Sequence, residues 1–155
     1  MDGATPQPRT SSDRPESAVE AAHALRGVVG GLRRRLLAVS GTSELTPAQA
    51  STLTRIVRGD ADTGSALAQV ERISPQAAAV SISALADAGY IARTTDPTDG
   101  RRQIIAPTDA GREYVQSARD TRQAWLEEGF VEDFTEAERQ QVIAATTLLE
   151  RLLER

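Results

Sequence analysis

The stretch from Ser74 to Arg102, SPQAAAVSISALADAGYIARTTDPTDGRR, constrains the fold more than any other part of the chain. Ser74 is placed to cap a helix, and Pro75 fits the first helical position, where its missing N–H costs nothing. Ala78, Ile82 and Leu85, with Ser81 beside them, recur every three to four residues and predict one buried stripe. Gly89 follows as the left-handed residue that ends the helix. The other face carries Gln76, Ala77, Ala79, Val80 and Ser83, all small or uncharged, so it can approach a groove closely. Two runs of β-formers, Tyr90–Thr94 and Arg102–Ala106, then frame a turn with arginine at its tip. A plain hairpin loop is one reading of that segment; a wing beside a recognition helix is the other.

The remaining elements are predicted in order along the chain. Residues 1–15 are rich in Pro, Ser, Thr and Gly and read as a disordered tail. A helix is expected from Glu16 to Val39, with Val19, Ala22, Leu25, Val28, Val29, Leu32 and Leu36 on a broad apolar face. Gly30-Gly31 weakens its middle. Thr46-Pro47-Ala48-Gln49 is a capping box that opens a second helix, stopped by Gly59, with Leu53, Ile56 and Val57 inward. The D-x-D spacing of Asp60 and Asp62 hints at a calcium loop, but its glycine is one position early and its final Glu is missing. Thr63 caps a third helix to about Glu71 that turns Leu67 and Val70 inward. Thr108 caps a fifth, expected to end at about Glu128 where Gly129 breaks it. Thr135-Glu136-Ala137-Glu138 opens a last helix to about Leu153. Its Val142, Ala145, Leu149 and Leu152 form more apolar surface than one partner helix would cover.

Composition matters mainly for what it excludes. There is no Cys and one His, His23, so thiol chemistry, a multi-His metal site and a nucleophile–His–acid set are all out of reach. No phosphate-binding glycine motif is present, and an enzyme is not expected. No apolar run is long enough to cross a membrane, so a cytoplasmic protein is expected. Aromatic content of 3% points to helical packing rich in Ala and Leu, so the fold class is mainly α. The formal charge of −4 looks wrong for a nucleic-acid binder. Residues 46–107, however, hold as many arginines as acids, so the deficit lies outside that lobe. Attraction to DNA would then come from placed arginines and helix N-termini, not from bulk charge.

The residues Leu67-Ala68, Ile73-Ser74-Pro75, Leu85, Gly89-Tyr90-Ile91, Arg93 and Asp96-Pro97-Thr98-Asp99-Gly100-Arg101-Arg102 together resemble the winged helix-turn-helix of the MarR family of regulators. The D-x-x-D-x-R signature of that family's wing is intact from Asp96 to Arg101, and the order of elements agrees over about residues 17 to 155. The resemblance implies a winged helix-turn-helix DNA-binding lobe at residues 46–107. It also implies a helical dimerisation region made of residues 16–45 and 108–155. In such a lobe the second helix enters the major groove N-terminus first. Gln76 can pair bidentately with adenine, Ser74 can reach a phosphate or base edge, and Ala or Val methyls can touch a thymine methyl. The candidate DNA-contacting residues are Thr63, Arg72, Ser74, Gln76, Ala77, Ala79, Val80, Ser83, Arg93, Asp99, Arg101 and Arg102. Arg101 is the candidate minor-groove probe, while Asp96 and Asp99 are expected to hold the turn by accepting backbone N–H groups or pairing with Arg102. Gly100 and Val80 stand where many relatives carry a basic or polar residue, which shifts weight from base contacts toward DNA shape.

The candidate dimerisation residues are Val19, Leu25, Val142, Leu149 and Leu152. A two-fold dimer would set two recognition helices on the order of 34 Å apart and bind a pseudo-palindrome in double-stranded DNA. The resemblance further implies a repressor released by a small aromatic or phenolic effector, with no cofactor and no metal. An activator or a ligand-independent regulator fits the same residues, and so does a helical module that docks a protein partner. Tyr114 and Trp125 are either pocket-lining or core. His23 is either an interfacial imidazole or a pH-responsive group. The run Arg33-Arg34-Arg35 is either a phosphate patch or a solvated face.

Overall fold

The structure is a computed structural model that describes residues 14–40, 44–100 and 102–155. Among these residues the chain forms α1 (Glu16–Val39), α2 (Pro47–Arg58), α3 (Gly64–Glu71), α4 (Pro75–Asp87), β1 (Ile91–Thr95), β2 (Gln103–Pro107), α5 (Asp109–Asp133) and α6 (Glu136–Glu150). This is the mainly helical, winged architecture expected from the sequence. The chain divides into two compact units, one ending at Ala38 and the other running from Val39 to Arg155. The tail expected at residues 1–15 lies almost wholly outside the described residues.

The first unit contributes a single helix. No residue of α1 is buried, and Val19, Val28, Val29, Leu32 and Leu37 are exposed. His23 and the Arg33–Arg35 run are exposed as well.

The second unit is built on short-range caps. Thr46 accepts the Gln49 N–H while the Gln49 side chain accepts the Thr46 N–H, a complete capping box, and Gly59 ends α2 at φ 78°. Thr63 caps α3 by accepting the Ala66 N–H. Its far end is unusual: Arg72 takes the left-handed conformation at φ 54°, so its N–H and that of Ile73 reach the carbonyls of Gln69 and Ala68. A non-glycine residue there costs roughly 1 kcal/mol or more, offset by satisfying those two carbonyls. Ser74 caps α4, and Gly89 closes it at φ 79° with the Tyr90 N–H on the Leu85 carbonyl. Glu71 staples α3 to α2 by accepting from Ser51 and Thr52, each at 2.9 Å.

These elements enclose one core. Leu53 of α2, Leu67 of α3 and Leu85 of α4 are fully buried, joined by Ile56, Ala78, Ile82, Ile91 and Ile105. Each such leucine contributes about 1.5–3 kcal/mol by leaving water. The predicted stripe Ala78–Ile82–Leu85 is therefore buried, but Val70 is 39% exposed instead of inward. Glu71, next to it, turns toward α2, and Val70 faces out.

The wing is an antiparallel ribbon with Ile91 opposite Pro107, Arg93 opposite Ile105 and Thr95 opposite Gln103. Both strands start one residue later than predicted. Tyr90 is held by the α4 cap, and Pro107 closes the ladder opposite Ile91, a strand-end position that proline tolerates. Alternation puts Ile91, Arg93 and Ile105 on one face of the ribbon, which fixes where Arg93 points.

Helix α5 also departs from expectation, since it continues through Gly129 to Asp133. One interior glycine costs about 1 kcal/mol, too little to break 25 residues of helix. The helix ends at Phe134, whose backbone is extended; its ring packs on Phe130 at 5.2 Å. Arg139 spans the corner to α6 by donating to the carbonyls of Phe130 and Phe134. The last helix opens on its Thr135–Glu138 capping box and stops at Glu150, short of Leu153. No residue of α6 is buried.

Candidate nucleic-acid interface

Helix α4 turns its uncharged face outward. Gln76, Ala77, Ala79, Val80 and Ser83 are all exposed, Val80 at 65%. The Ser74 hydroxyl accepts the Ala77 N–H at 3.1 Å, so its oxygen is committed to the cap while its O–H remains a donor. The first turn of α4 presents the positive end of the helix dipole on the same side as Gln76, a combination suited to anionic backbone and base edge together.

A cleft of about 510 Å³ lies between the start of α3, α4 and the wing. It brings together six of the predicted residues: Thr63, Ala79, Ser83, Arg93, Asp99 and Arg102. Arg93 donates to Ser83 at 2.8 Å, which holds its guanidinium against α4. Arg102 is not a free cation: it donates to the Asp62 carboxylate at 3.1 and 3.3 Å and lies 3.8 Å from Asp96. Thr63, at the edge of the cleft, is 7% exposed, and its hydroxyl accepts the Ala66 N–H and so places the start of α3.

Asp96 holds the wing turn as expected. Its carboxylate accepts from the Thr98 N–H at 2.8 Å and the Thr98 hydroxyl at 2.7 Å, and these bonds keep its pKa below the usual aspartate range. The Asp99 carbonyl accepts the Arg102 N–H at 2.9 Å, which closes the turn. Arg101, predicted as the tip contact, lies outside the described residues.

Arg72, Ser74, Gln76, Ala77 and Val80 do not line this cleft. Arg72 borders a smaller one of about 310 Å³ with Ser51, Arg55 and Glu71. The residue missed in the sequence is Asp62. Its carboxylate binds Arg102, and its carbonyl accepts the Ile105 N–H at 2.8 Å, so the loop before α3 is joined to β2. Asp60 pairs with Arg55 at 3.1 Å, so the D-x-D pair serves ion pairs to arginine. Among the described residues no cluster of His, Asp or Glu is arranged to hold a metal, and no helix is long and apolar enough to cross a membrane.

The two aromatic candidates for a pocket separate. Tyr114 stacks at a tilt on Tyr90, ring centres 5.1 Å apart, against the core; Trp125 is half-buried further along α5. The Tyr90 hydroxyl donates to Glu44 at 3.0 Å, which raises the tyrosine's pKa above its ordinary value. Of the candidate dimerisation residues, Leu25 and Val142 are half-buried. Val19, Leu149 and Leu152 are exposed, Leu152 at 50%.

Several proteins similar to this chain are described as transcriptional regulators. The sequence profile of the MarR family matches residues 43–102. An uncharacterized helix-turn-helix-type transcriptional regulator of Mycobacterium bovis is 37% identical over 97 residues, 63% of this chain and 68% of that protein. A solved structure from Pseudomonas aeruginosa, described as a transcriptional regulator, superimposes with a TM-score of 0.80 at 29% identity, covering 92% of this chain and 99% of that one. A mutant of MepR from S. aureus, bound to an oligodeoxyribonucleotide, shares the fold with a TM-score of 0.68 at 20% identity, covering 86% and 97% of the two chains.

Proposed function

The chain belongs to the MarR family of transcriptional regulators, and on that premise we propose that it is a homodimeric repressor, released from a pseudo-palindromic DNA site by a small-molecule ligand. The observation that carries the DNA-reading part is the outward face of α4, uncharged and exposed, set beside a wing whose Arg93 is fixed against it. The fold shared with a MepR mutant bound to an oligodeoxyribonucleotide supports the same reading.

In this reading α4 enters the major groove, with Gln76 facing adenine and Val80 and Ala79 against thymine methyls. Arg93 and Arg72 contact phosphates, and Arg101 probes the minor groove. Arg102 and Asp99 act by holding the wing's shape. Exposed leucines and valines on α1 and α6 support a second copy of the chain as the partner. The ligand class implied by family resemblance is aromatic or phenolic.

Fluorescence anisotropy tests the proposal, using the DNA upstream of the protein's own gene against a shuffled control over a salt series. Preferential binding of the natural sequence, weakening as salt rises, is the expected result. Equal and weak binding to both DNAs would overturn it. Adding a ligand that dissociates the complex would distinguish a releasable repressor from a constitutive regulator.

A further inference from the structure

Helix α4 carries no basic residue: its 13 residues, Pro75 to Asp87, include one charged group, Asp87 in the last turn. Guanine is read in the major groove chiefly by arginine or lysine, donating two hydrogen bonds to O6 and N7. No side chain of α4 offers that charged fork. The cation that borders its face, Arg93, comes from β1 and spends one N–H on the Ser83 hydroxyl. What α4 itself presents along one stripe is Gln76, Val80 and Ser83, spaced by four and three residues and all exposed.

Val80 is the one branched apolar side chain on that outward face, and it is 65% exposed. The core gains nothing from it, and a β-branched residue is a poorer helix former than the alanines around it. Neither packing nor propensity accounts for a valine there. Ala79 and Ser83 line the cleft beside the wing, whereas Val80 does not, so its two methyl groups are open to whatever the helix meets. At 1.5 Å of rise per residue Val80 lies roughly 6 Å along the axis from Gln76, close to the rise of two base-pair steps. An adenine read by Gln76 and a base met by Val80 can therefore belong to one half-site.

We propose that Val80 is the specificity determinant of this reader and that it selects the C5-methyl group of a pyrimidine, borne by thymine or by 5-methylcytosine. Both bases present that methyl at the same edge of the major groove, and cytosine and uracil lack it. A methyl packed against valine leaves water, and each such contact favours the methylated base about fourfold. Thymine supplies the methyl in an A·T pair. Methylation of cytosine would create the same mark in a G·C pair, and so a site whose occupancy follows the methylation of the DNA. The inference rests on α4 being the groove-entering helix, as proposed above.

The test is in vitro selection by the full-length protein from random duplex pools. One pool contains cytosine and thymine, a second cytosine and uracil, and a third 5-methylcytosine and uracil. The expected result is an enriched, thymine-containing sequence from the first pool whose uracil version binds at least about tenfold more weakly, since a two-fold site loses two methyl contacts. Tight sequences from the third pool would show that 5-methylcytosine serves as well; their absence would identify thymine as the source. Val80→Ala should cut the thymine-to-uracil affinity ratio at least about threefold, while its Tm equals or exceeds that of the parent. Should the Tm fall instead, Val80→Thr, of the same shape, decides by the same ratio. Equal binding of thymine and uracil versions would overturn the proposal. An undiminished ratio in the variant would overturn it too, because a valine serving only the fold weakens both versions alike. Enrichment without a methyl preference sinks this inference alone, whereas no enrichment from any pool sinks the DNA-reading proposal and this one with it.

Discussion

Arg93 of β1 donates a 2.8 Å hydrogen bond to the hydroxyl of Ser83 on α4, ten residues earlier in the chain. This single contact fixes a cation at the junction of reading helix and wing. Replacing Arg93 by Ala should remove one phosphate contact, flattening the slope of log K against log salt by about 1 and weakening binding to all sequences alike. Ser83→Ala keeps the cation and should leave that slope unchanged, with an affinity loss of at most about tenfold. Anisotropy over a salt series separates the two.

Two glycines in α5 should respond to alanine with opposite signs. A Cβ on Gly111 would fall 2.1 Å from the Tyr90 carbonyl oxygen, a backbone atom that also accepts the Thr108 N–H and cannot swing away. Gly111→Ala should cost at least about 1–3 kcal/mol. A Cβ on Gly129 meets nothing within 4 Å, so Gly129→Ala should stabilise by up to about 1 kcal/mol through helix propensity. Urea midpoints of the two variants against the parent check both signs.

Acid should loosen the wing turn. The Thr98 hydroxyl and N–H hold the Asp96 carboxylate below the ordinary aspartate pKa. A depressed folded pKa contributes stability above the unfolded value of about 3.9 and loses it as pH falls through the lower folded one. Asp96→Asn should therefore be less stable than the parent at neutral pH, and the gap should close in acid. Unfolding curves from pH 7 down to about pH 2 measure it. Tyr90 runs the other way: its bond to Glu44 raises its pKa, so that contribution is intact below about pH 10 and fades as pH rises through the folded value.

If α6 forms a dimer interface, Leu149→Asp should break it. Leu149 lies outside the buried core, so the variant should keep its circular dichroism while its mass by light scattering falls to that of one chain. A parent protein already at monomer mass would refute the dimer.

What could be read from the sequence was local. Thr46, Thr63, Ser74, Thr108 and Thr135 each cap a backbone N–H three residues on, so the code for every helix start but that of α1 fits inside a four-residue window. The strand edges slipped by one because the Tyr90 N–H has two competing uses, cap or ladder, and only the folded chain shows that Leu85 takes it. Gly129 reads as a break by local propensity alone, whereas the 25-residue helix around it carries one interior glycine. Asp62 and Arg102 are forty residues apart, and nothing in either neighbourhood announces the pair.

The bond from the Ile105 N–H to the Asp62 carbonyl has a mechanical consequence. Together with the Arg102–Asp62 pair it anchors β2 to Asp62, the residue just before the cap of α3, so the ribbon is a lever rooted at that helix and not a flap on a hinge. A load at the tip is delivered to the first turn of α3, which means that whatever seats the wing also sets the tilt of the helix supporting the reader.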